Sequence, residues 1–211
     1  DLCMHLDAFR QGAGDDADIL LDLNFNAKTE GYLRFARALA DFRLFWLEID
    51  TPSPESLAYV RDHSVHPISS CETLLGGSSF VPYFQHQAVD VAIVDAVWNG
   101  VWQSMKIAAA AEAYEMNVAP HNFYGHLSTM MNVHFAAAVP NLRIMEIDID
   151  RLAWDDDALR GAIRSLADRF GSQTVLVNNA ARDDRHNWKD VTPEYWDERM
   201  ATNLRHMFFS I

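Results

Sequence analysis

Short apolar runs alternate with amphipathic segments along the first three quarters of the chain. The runs last seven or eight residues and cover 18–25, 44–50, 66–73, 89–96, 116–123 and 142–148. The segments between them predict helices over 28–42, 54–63, 78–87, 100–115 and 125–139. Strands that are apolar on both faces and alternate with helices pair in parallel through right-handed crossovers. The pattern therefore predicts an α/β fold with six parallel strands.

One acidic or imidazole side chain lies near the C-terminal end of every predicted strand. The six follow one another at intervals of 23 to 26 residues: Asp22, Glu48, Glu72, Asp95, His121 and Glu146. In a (β/α)8 barrel the C-terminal strand ends converge on one mouth, where catalytic groups collect. Grouped acids repel one another without a cation, and carboxylate ligands suit Mg²⁺. A single such residue is about as often a helix cap or a rim residue, but six in step favour a site.

Six motifs, taken in order, resemble the mandelate racemase and muconate lactonizing branch of the enolase superfamily over about 1–152. They are DLNFN, WLEID, SSCETL, VDVAIVDAVWNG, APHNFYGHLST and NLRIMEID. The resemblance implies a partial (β/α)8 TIM-type barrel, made of strands three to eight. It also implies a metal site in which Asp22, Glu48 and Glu72 bind Mg²⁺ and Asn24 assists.

The same resemblance implies the chemistry of the site. His121 would be the general acid/base, oriented and made more basic by Asp95, and Glu146 would hydrogen-bond near the substrate. Such enzymes abstract a proton α to a carboxylate, and Mg²⁺ stabilises the enediolate. Acid sugars are the usual substrates of the dehydratases, so the chain is expected to be an acid-sugar dehydratase or racemase.

The sequence departs from the family pattern in several places. Cys71 replaces a common Gly, and the sequence IDTP at 49–52 replaces the usual second Glu and Pro. The family's capping domain, first two barrel strands and lysine motif on the second strand have no counterpart. Both ends look cut, so we expect activity impaired by truncation.

The periodicity changes after residue 149. Residues 156–211, with TVLVNNAA and VTPEYWDERMATNLRHMFF, resemble the classical short-chain dehydrogenase/reductase family. This implies a partial Rossmann-like α-β-α segment over 153–211, with Asn178, Asn179 and Ala180 near NAD(P) and Asn203 supporting the proton relay. The family's glycine-rich loop and Tyr-x-x-x-Lys motif are missing, so NAD(P) binding is expected only of a complete segment. Two further βα units of the same barrel are the alternative interpretation.

The amino-acid composition disfavours some classes of binding partner. The 211 residues carry a formal net charge of −13, which argues against nucleic acid and anionic membranes. No apolar run is long enough to span a bilayer, and two cysteines are too few for a disulfide framework. We therefore expect a cytoplasmic protein with a small acid-sugar substrate, and a homo-oligomer is left open.

Three functions remain open at this point: a Mg²⁺-dependent acid-sugar dehydratase or racemase, an NAD(P)-dependent sugar oxidoreductase, and a non-catalytic fusion fragment. The junction near 150–157 is interpreted as a gene fusion or an assembly error. The sequence specifies neither the acid sugar nor the stereochemistry.

Overall fold

The structure is a computed structural model that describes residues 2–147 and Thr192. The predicted Rossmann-like segment therefore lies outside the described residues, apart from Thr192. The same holds for its predicted cofactor-binding residues, which are Asn178, Asn179, Ala180 and Asn203.

Strands and helices alternate through the described residues. The strands are β1 (Ile19–Asp22), β2 (Leu44–Glu48), β3 (Ile68–Ser70), β4 (Val91–Asp95) and β5 (Asn117–His121). The helices are α1 (Leu2–Ala13), α2 (Thr29–Ala38), α3 (Pro54–Asp62), α4 (Gly77–Gln85), α5 (Ala96–Asn99), α6 (Val101–Ala113) and α7 (His126–Ala138). None of the helices within 2–147 is long and apolar enough to cross a membrane.

The five strands form one parallel sheet in the order β1-β2-β3-β4-β5. Each strand pairs with the next along the chain, which is the connectivity of a (β/α)8 barrel. The sheet curls as half of a barrel. The predicted α/β class and partial barrel are therefore confirmed for the described part of the chain.

The two faces of the sheet carry different cores, because successive strand residues point to opposite sides. In β4, Ala92 and Val94 join a large apolar cluster shared with the helices, while Val91 and Ile93 face the other way. On that second face they pack with Trp46 of β2. A small apolar layer thus lies below the strand ends on the concave side.

The sixth predicted strand, 142–148, is only partly present among the described residues. Leu142 forms an isolated parallel bridge with Val118 of β5. The Val118 N–H donates to Asn141 O at 2.9 Å, and the Arg143 N–H donates to Val118 O at 2.8 Å. The next residue of β5 that faces this segment is Pro120, which has no N–H to donate. The missing donor interrupts the ladder, and the prediction of a full strand is wrong for 142–147.

Two features at the helices were not predicted. Helix α1 is present where the sequence analysis assigned no element, and it buries Leu6 in the helix-side core. The predicted helix at 100–115 is preceded by the short α5. Gly100, with a φ of 73°, separates α5 from α6.

Candidate functional site

The structure brings the predicted site residues to one end of the sheet. Four of them are the last residues of their strands: Asp22, Glu48, Asp95 and His121. Glu72 lies two residues after β3, and Glu146 lies in the segment after α7. The strand register sets Asp22 beside Glu48, and Asp95 beside His121. Neighbouring parallel strands lie about 4.8 Å apart, so each pair is adjacent.

His121 and Asp95 form a hydrogen-bonded dyad. Nδ1 of His121 lies 2.8 Å from Oδ2 of Asp95, whose side chain is fully buried. Oδ1 of Asp95 accepts the backbone N–H groups of Val97 at 2.7 Å and Trp98 at 2.9 Å, so the same carboxylate caps α5. The hydroxyl of Tyr124 donates to Oδ2 at 2.9 Å. Both oxygens of Asp95 are therefore held by protein donors.

This network favours the charged dyad. Burial acts to raise the pKa of Asp95, but hydrogen bonds from His121, the Trp98 amide and Tyr124 outweigh it and lower that pKa. Burial acts to lower the pKa of His121, but the Asp95 hydrogen bond and the charges of Glu146 and Glu72 raise it overall. Burial and the Asp95 contact raise the pKa of Tyr124 to about 12, so Tyr124 remains a donor. Asp95 therefore stabilises imidazolium, and an ionised Asp95 makes Nδ1 the protonated nitrogen.

Four carboxylates form an acid cluster at the ends of β1, β2 and β3: Asp22, Glu48, Asp50 and Glu72. Burial raises the pKa of Asp22 to about 6, and the charge of Asp50 adds to the increase. Burial raises the pKa of Glu72 to about 7, although the nearby His121 opposes the shift. Burial and the charges of Asp22 and Glu72 raise the pKa of Glu48 well above its ordinary value. These groups resist ionisation together, as crowded carboxylates do.

The acid cluster offers suitable metal ligands but no finished coordination shell. Three of its carboxylates have protein partners. Asp22 accepts the Asn24 N–H at 2.7 Å and also bonds the Asn24 side-chain amide. Asp50 Oδ1 accepts the Ser70 hydroxyl at 3.1 Å, and Glu72 Oε2 lies 3.4 Å from His121 Nε2. Within residues 2–147, no three His, Cys, Asp or Glu side chains already enclose a metal position. The donor chemistry nevertheless fits Mg²⁺, since hard carboxylate oxygens surround a region where their charges repel. The ligand roles of Asp22, Glu48, Glu72 and Asn24 stay predictions.

Glu146 is fixed by the residue that follows His121. The backbone N–H of Asn122 donates to Glu146 Oε2 at 2.7 Å, and the Asn122 side chain donates to the Glu146 carbonyl at 3.0 Å. Asn122 is completely buried and also donates to Thr129 Oγ1 of α7 at 3.0 Å. This network attaches the segment after α7 to the end of β5, which brings Glu146 close to the dyad.

Sequence reasoning missed three of these residues. Asp50 was included in the predicted strand 44–50 but given no role, although it follows Glu48 by the two-residue interval that places both on one face. Asn122 was not singled out, although it is the neighbour of His121. Tyr124 also received no role, and nothing in its spacing indicates that its hydroxyl reaches Asp95.

Comparisons with known proteins agree with this geometry. A family model described as enolase C-terminal domain-like matches residues 2–169. The chain belongs to this family. Over 156 residues, 72% of the chain, it is 30% identical to a D-xylonate dehydratase of Haloferax volcanii, covering 38% of that protein.

A solved structure is more similar in sequence. A Burkholderia xenovorans strain LB400 protein described as an L-alanine-DL-glutamate epimerase, bound to magnesium and fumarate, is 72% identical with a TM-score of 0.72. The match covers 74% of this chain and 39% of that one. The chain thus spans about two fifths of the length of these family relatives.

A separate, shorter similarity points to another class of protein. Over 48 residues, 23% of the chain, the sequence is 56% identical to a D-xylose 1-dehydrogenase of Caulobacter vibrioides, covering 19% of that protein. A short match of this kind bears on a segment of the chain and not on its whole activity.

Proposed function

We propose that residues 2–147 carry the acid–base group and the cation ligands of an enzyme that abstracts a proton α to the carboxylate of an acid sugar. The reaction would be of the dehydratase or racemase type. The observation that carries the proposal is the His121–Asp95 hydrogen bond of 2.8 Å, at the same strand ends as the acid cluster. The similarity to a D-xylonate dehydratase and to a magnesium-bound structure supports it.

Proton transfer in this proposal takes place at Nε2 of His121. Asp95 accepts a hydrogen bond from the Nδ1–H group and so fixes the tautomer that leaves Nε2 as the basic nitrogen. Nε2 faces Glu72 at 3.4 Å, which directs it towards the acid cluster. Once protonated, the ring is stabilised by the buried charge of Asp95, and it can return the proton to a departing hydroxyl.

The acid cluster would hold the Mg²⁺ ion through Asp22, Glu48 and Glu72. Asn24 bonds to both oxygens of Asp22 and would orient that carboxylate. When bound, Mg²⁺ supplies positive charge beside the substrate carboxylate. The side chain of Glu146, fixed by Asn122, would hydrogen-bond the substrate on the side of the dyad.

Deuterium exchange at the α-carbon tests the reaction class. The 211-residue chain with Mg²⁺ is incubated in D₂O with D-xylonate and related aldonates, and loss of the C2–H signal is followed by NMR. We expect exchange that falls at least about 10²-fold in His121→Asn. His134→Asn, an exposed histidine of α7, serves as the matched control and should exchange like the wild type. Equal exchange in His121→Asn, or none in the wild type, would overturn the proposal.

A second candidate function belongs to the C-terminal segment. The 56% identity with a D-xylose 1-dehydrogenase over 48 residues supports a piece of an NAD(P)-dependent sugar oxidoreductase. In this candidate, Asn178, Asn179, Ala180 and Asn203 would contribute to the cofactor side of a complete domain. Fluorescence titration with NADH and NADPH tests it, and a chain that binds neither cofactor would contradict an oxidoreductase activity of this chain.

A further inference from the structure

Asp50 is a buried carboxylate that was predicted neither as a metal ligand nor as a catalytic residue. It lies two residues after the end of β2, and its side chain is only 2% exposed. Its backbone is fixed on both sides: its N–H donates to Asn24 O at 3.3 Å, and its carbonyl accepts the Tyr32 hydroxyl at 3.1 Å. The position of Asp50 is therefore set by the fold.

The two carboxylate oxygens of Asp50 have different surroundings. Oδ1 accepts the hydroxyl of Ser70, itself buried, at 3.1 Å. Oδ2 is buried and has no hydrogen-bond partner. An unpartnered buried carboxylate oxygen costs free energy, so such an atom in a native structure calls for an unseen donor.

Asp50 lies on the same side of the chain as Glu48, one of the predicted metal ligands. The N–H of the intervening Ile49 still donates to Ser69 O at 3.0 Å, so the chain stays extended past the end of β2, and residues two apart in an extended chain share a face. The bond from Ser70 places the Asp50 side chain beside the end of β3, two residues before Glu72.

In agreement with this placement, the charge of Asp50 raises the pKa of Asp22 and of Glu72. Protonation relieves the repulsion among four such groups, and a bound cation, or a donor attached to one, relieves it while they stay ionised. A bound Mg²⁺ usually keeps several water molecules, and each of these is a strong donor.

We propose that Asp50 is a fourth carboxylate of the cation centre, whose Oδ2 accepts a hydrogen bond from a water molecule bound to the metal. The inference rests on the proposed function and adds a residue to the same site. Oδ1 already accepts the Ser70 hydroxyl and Oδ2 has no protein donor, so we assign the contact to Oδ2 and favour an outer contact over direct ligation. Carboxylates in this role orient the inner ligands and raise metal affinity.

Calorimetric titration of the full chain with Mg²⁺ provides the test. Asp50→Asn keeps the shape of the side chain and the acceptor for Ser70, but removes the charge. We expect its Mg²⁺ affinity to fall by about 10- to 100-fold. Ser70→Ala, which frees Oδ1, should weaken binding by less than about 10-fold. Asp62→Asn, at the exposed end of α3, removes one negative charge elsewhere and should bind like the wild type.

Thermal unfolding in EDTA gives a second readout. Without the metal, a carboxylate of the cation centre repels the other carboxylates of the acid cluster. Asp50→Asn should therefore raise the Tm in EDTA and reduce the increase in Tm that Mg²⁺ causes. A purely structural carboxylate gives the opposite result, with a lower Tm in EDTA and unchanged Mg²⁺ affinity, and that result overturns the inference. A wild-type chain that binds no Mg²⁺ overturns the proposed function as well. Wild-type binding with an unaffected Asp50→Asn overturns the role of Asp50 alone.

Discussion

Two neighbouring regions of the site differ in how their buried ionisable side chains are stabilised. At the ends of β4 and β5, Asp95 has donors on both oxygens, and one of these donors is the ring of His121. At the ends of β1, β2 and β3, the acid cluster holds four carboxylates with raised pKa values and one unpartnered oxygen. The first region needs nothing from outside the chain. Among residues 2–147, the contact of His121 with Glu72 does not neutralise the second region, which calls for a further positive charge.

The difference teaches how one strand pattern can serve two purposes. In both regions an ionisable residue ends a strand and faces the concave side of the sheet. In the dyad, partners come from α5 and from the loop after β5, which contains Tyr124. In the acid cluster, neighbouring strand ends contribute like charges instead. Changes in the dyad should therefore affect proton transfer, and changes in the acid cluster should affect metal affinity and stability.

The largest effect is expected for Asp95→Asn. The amide would present an N–H group to Nδ1 of His121 and favour the wrong tautomer, so proton exchange should fall by about 10²- to 10⁴-fold. The exchange of the substrate C2 proton is measured by NMR. Mg²⁺ affinity, measured by calorimetry, should stay within a factor of about two or three if the two regions are separate. A large loss of Mg²⁺ affinity in Asp95→Asn would show that the dyad and the acid cluster are coupled.

Glu48→Gln should stabilise the metal-free protein. Glu48 is buried among like charges, so its neutral isostere should raise the free energy of unfolding by about 1–3 kcal/mol in EDTA. Urea denaturation measures the change. Glu112→Gln, an exposed position on α6, is the matched control and should have an effect within about 0.5 kcal/mol. Destabilisation by Glu48→Gln would mean that the carboxylate is satisfied by the protein itself.

The stability of the metal-free protein should decline as the pH rises through the acidic range. The pKa values rise on folding from 3.8 to about 6 for Asp22 and from 4.5 to about 7 for Glu72. The folded state therefore binds these protons more tightly, and that stabilisation is lost between about pH 4 and pH 7. Urea midpoints in EDTA across this range measure it. An Asp22→Asn, Glu72→Gln double variant should flatten the decline, and a stability that rises through the window in the wild type would contradict the electrostatic account.

The smallest effect concerns the residue before Glu72. Cys71 is buried and has a φ of 92°, a conformation that suits glycine, the residue that the resemblance to the enolase superfamily implies there. Cys71→Gly relieves the backbone strain while Cys71→Ala keeps it, so the glycine variant should be the more stable of the two by about 1 kcal/mol. Thermal unfolding of both variants measures the difference. A more stable alanine variant would indicate that lost packing outweighs strain.

Most of the strand framework could be predicted from the sequence, because apolar runs and their polar ends repeat at a fixed interval. Asp22, Glu48, Asp95 and His121 all end strands as that pattern requires. The prediction of a sixth strand at 142–147 is wrong for a local reason. Pro120 has no N–H to donate to the segment after Leu142, so the ladder loses its next bond there. The apolar run at 142–148 carries no sign of this, because the missing donor belongs to the neighbouring strand.

The partners within the site were harder to predict than its members. The hydrogen bond from Tyr124 to Asp95 joins residues 29 positions apart, and the bond from Ser70 to Asp50 joins residues 20 apart. Such contacts depend on how loops fold over the strand ends, and no periodicity encodes that. The strain at Cys71 also became visible only with its backbone conformation, although the replacement of a common glycine marked the position.

Calorimetric titration of Mg²⁺ into the wild-type chain and into Glu48→Gln tests the central claim most directly. The account predicts one binding site per wild-type chain and no detectable site in Glu48→Gln, because that variant removes the ligand between Asp22 and Glu72. A wild-type chain without a Mg²⁺ site, or a Glu48→Gln variant that binds Mg²⁺ as tightly as the wild type, would contradict it.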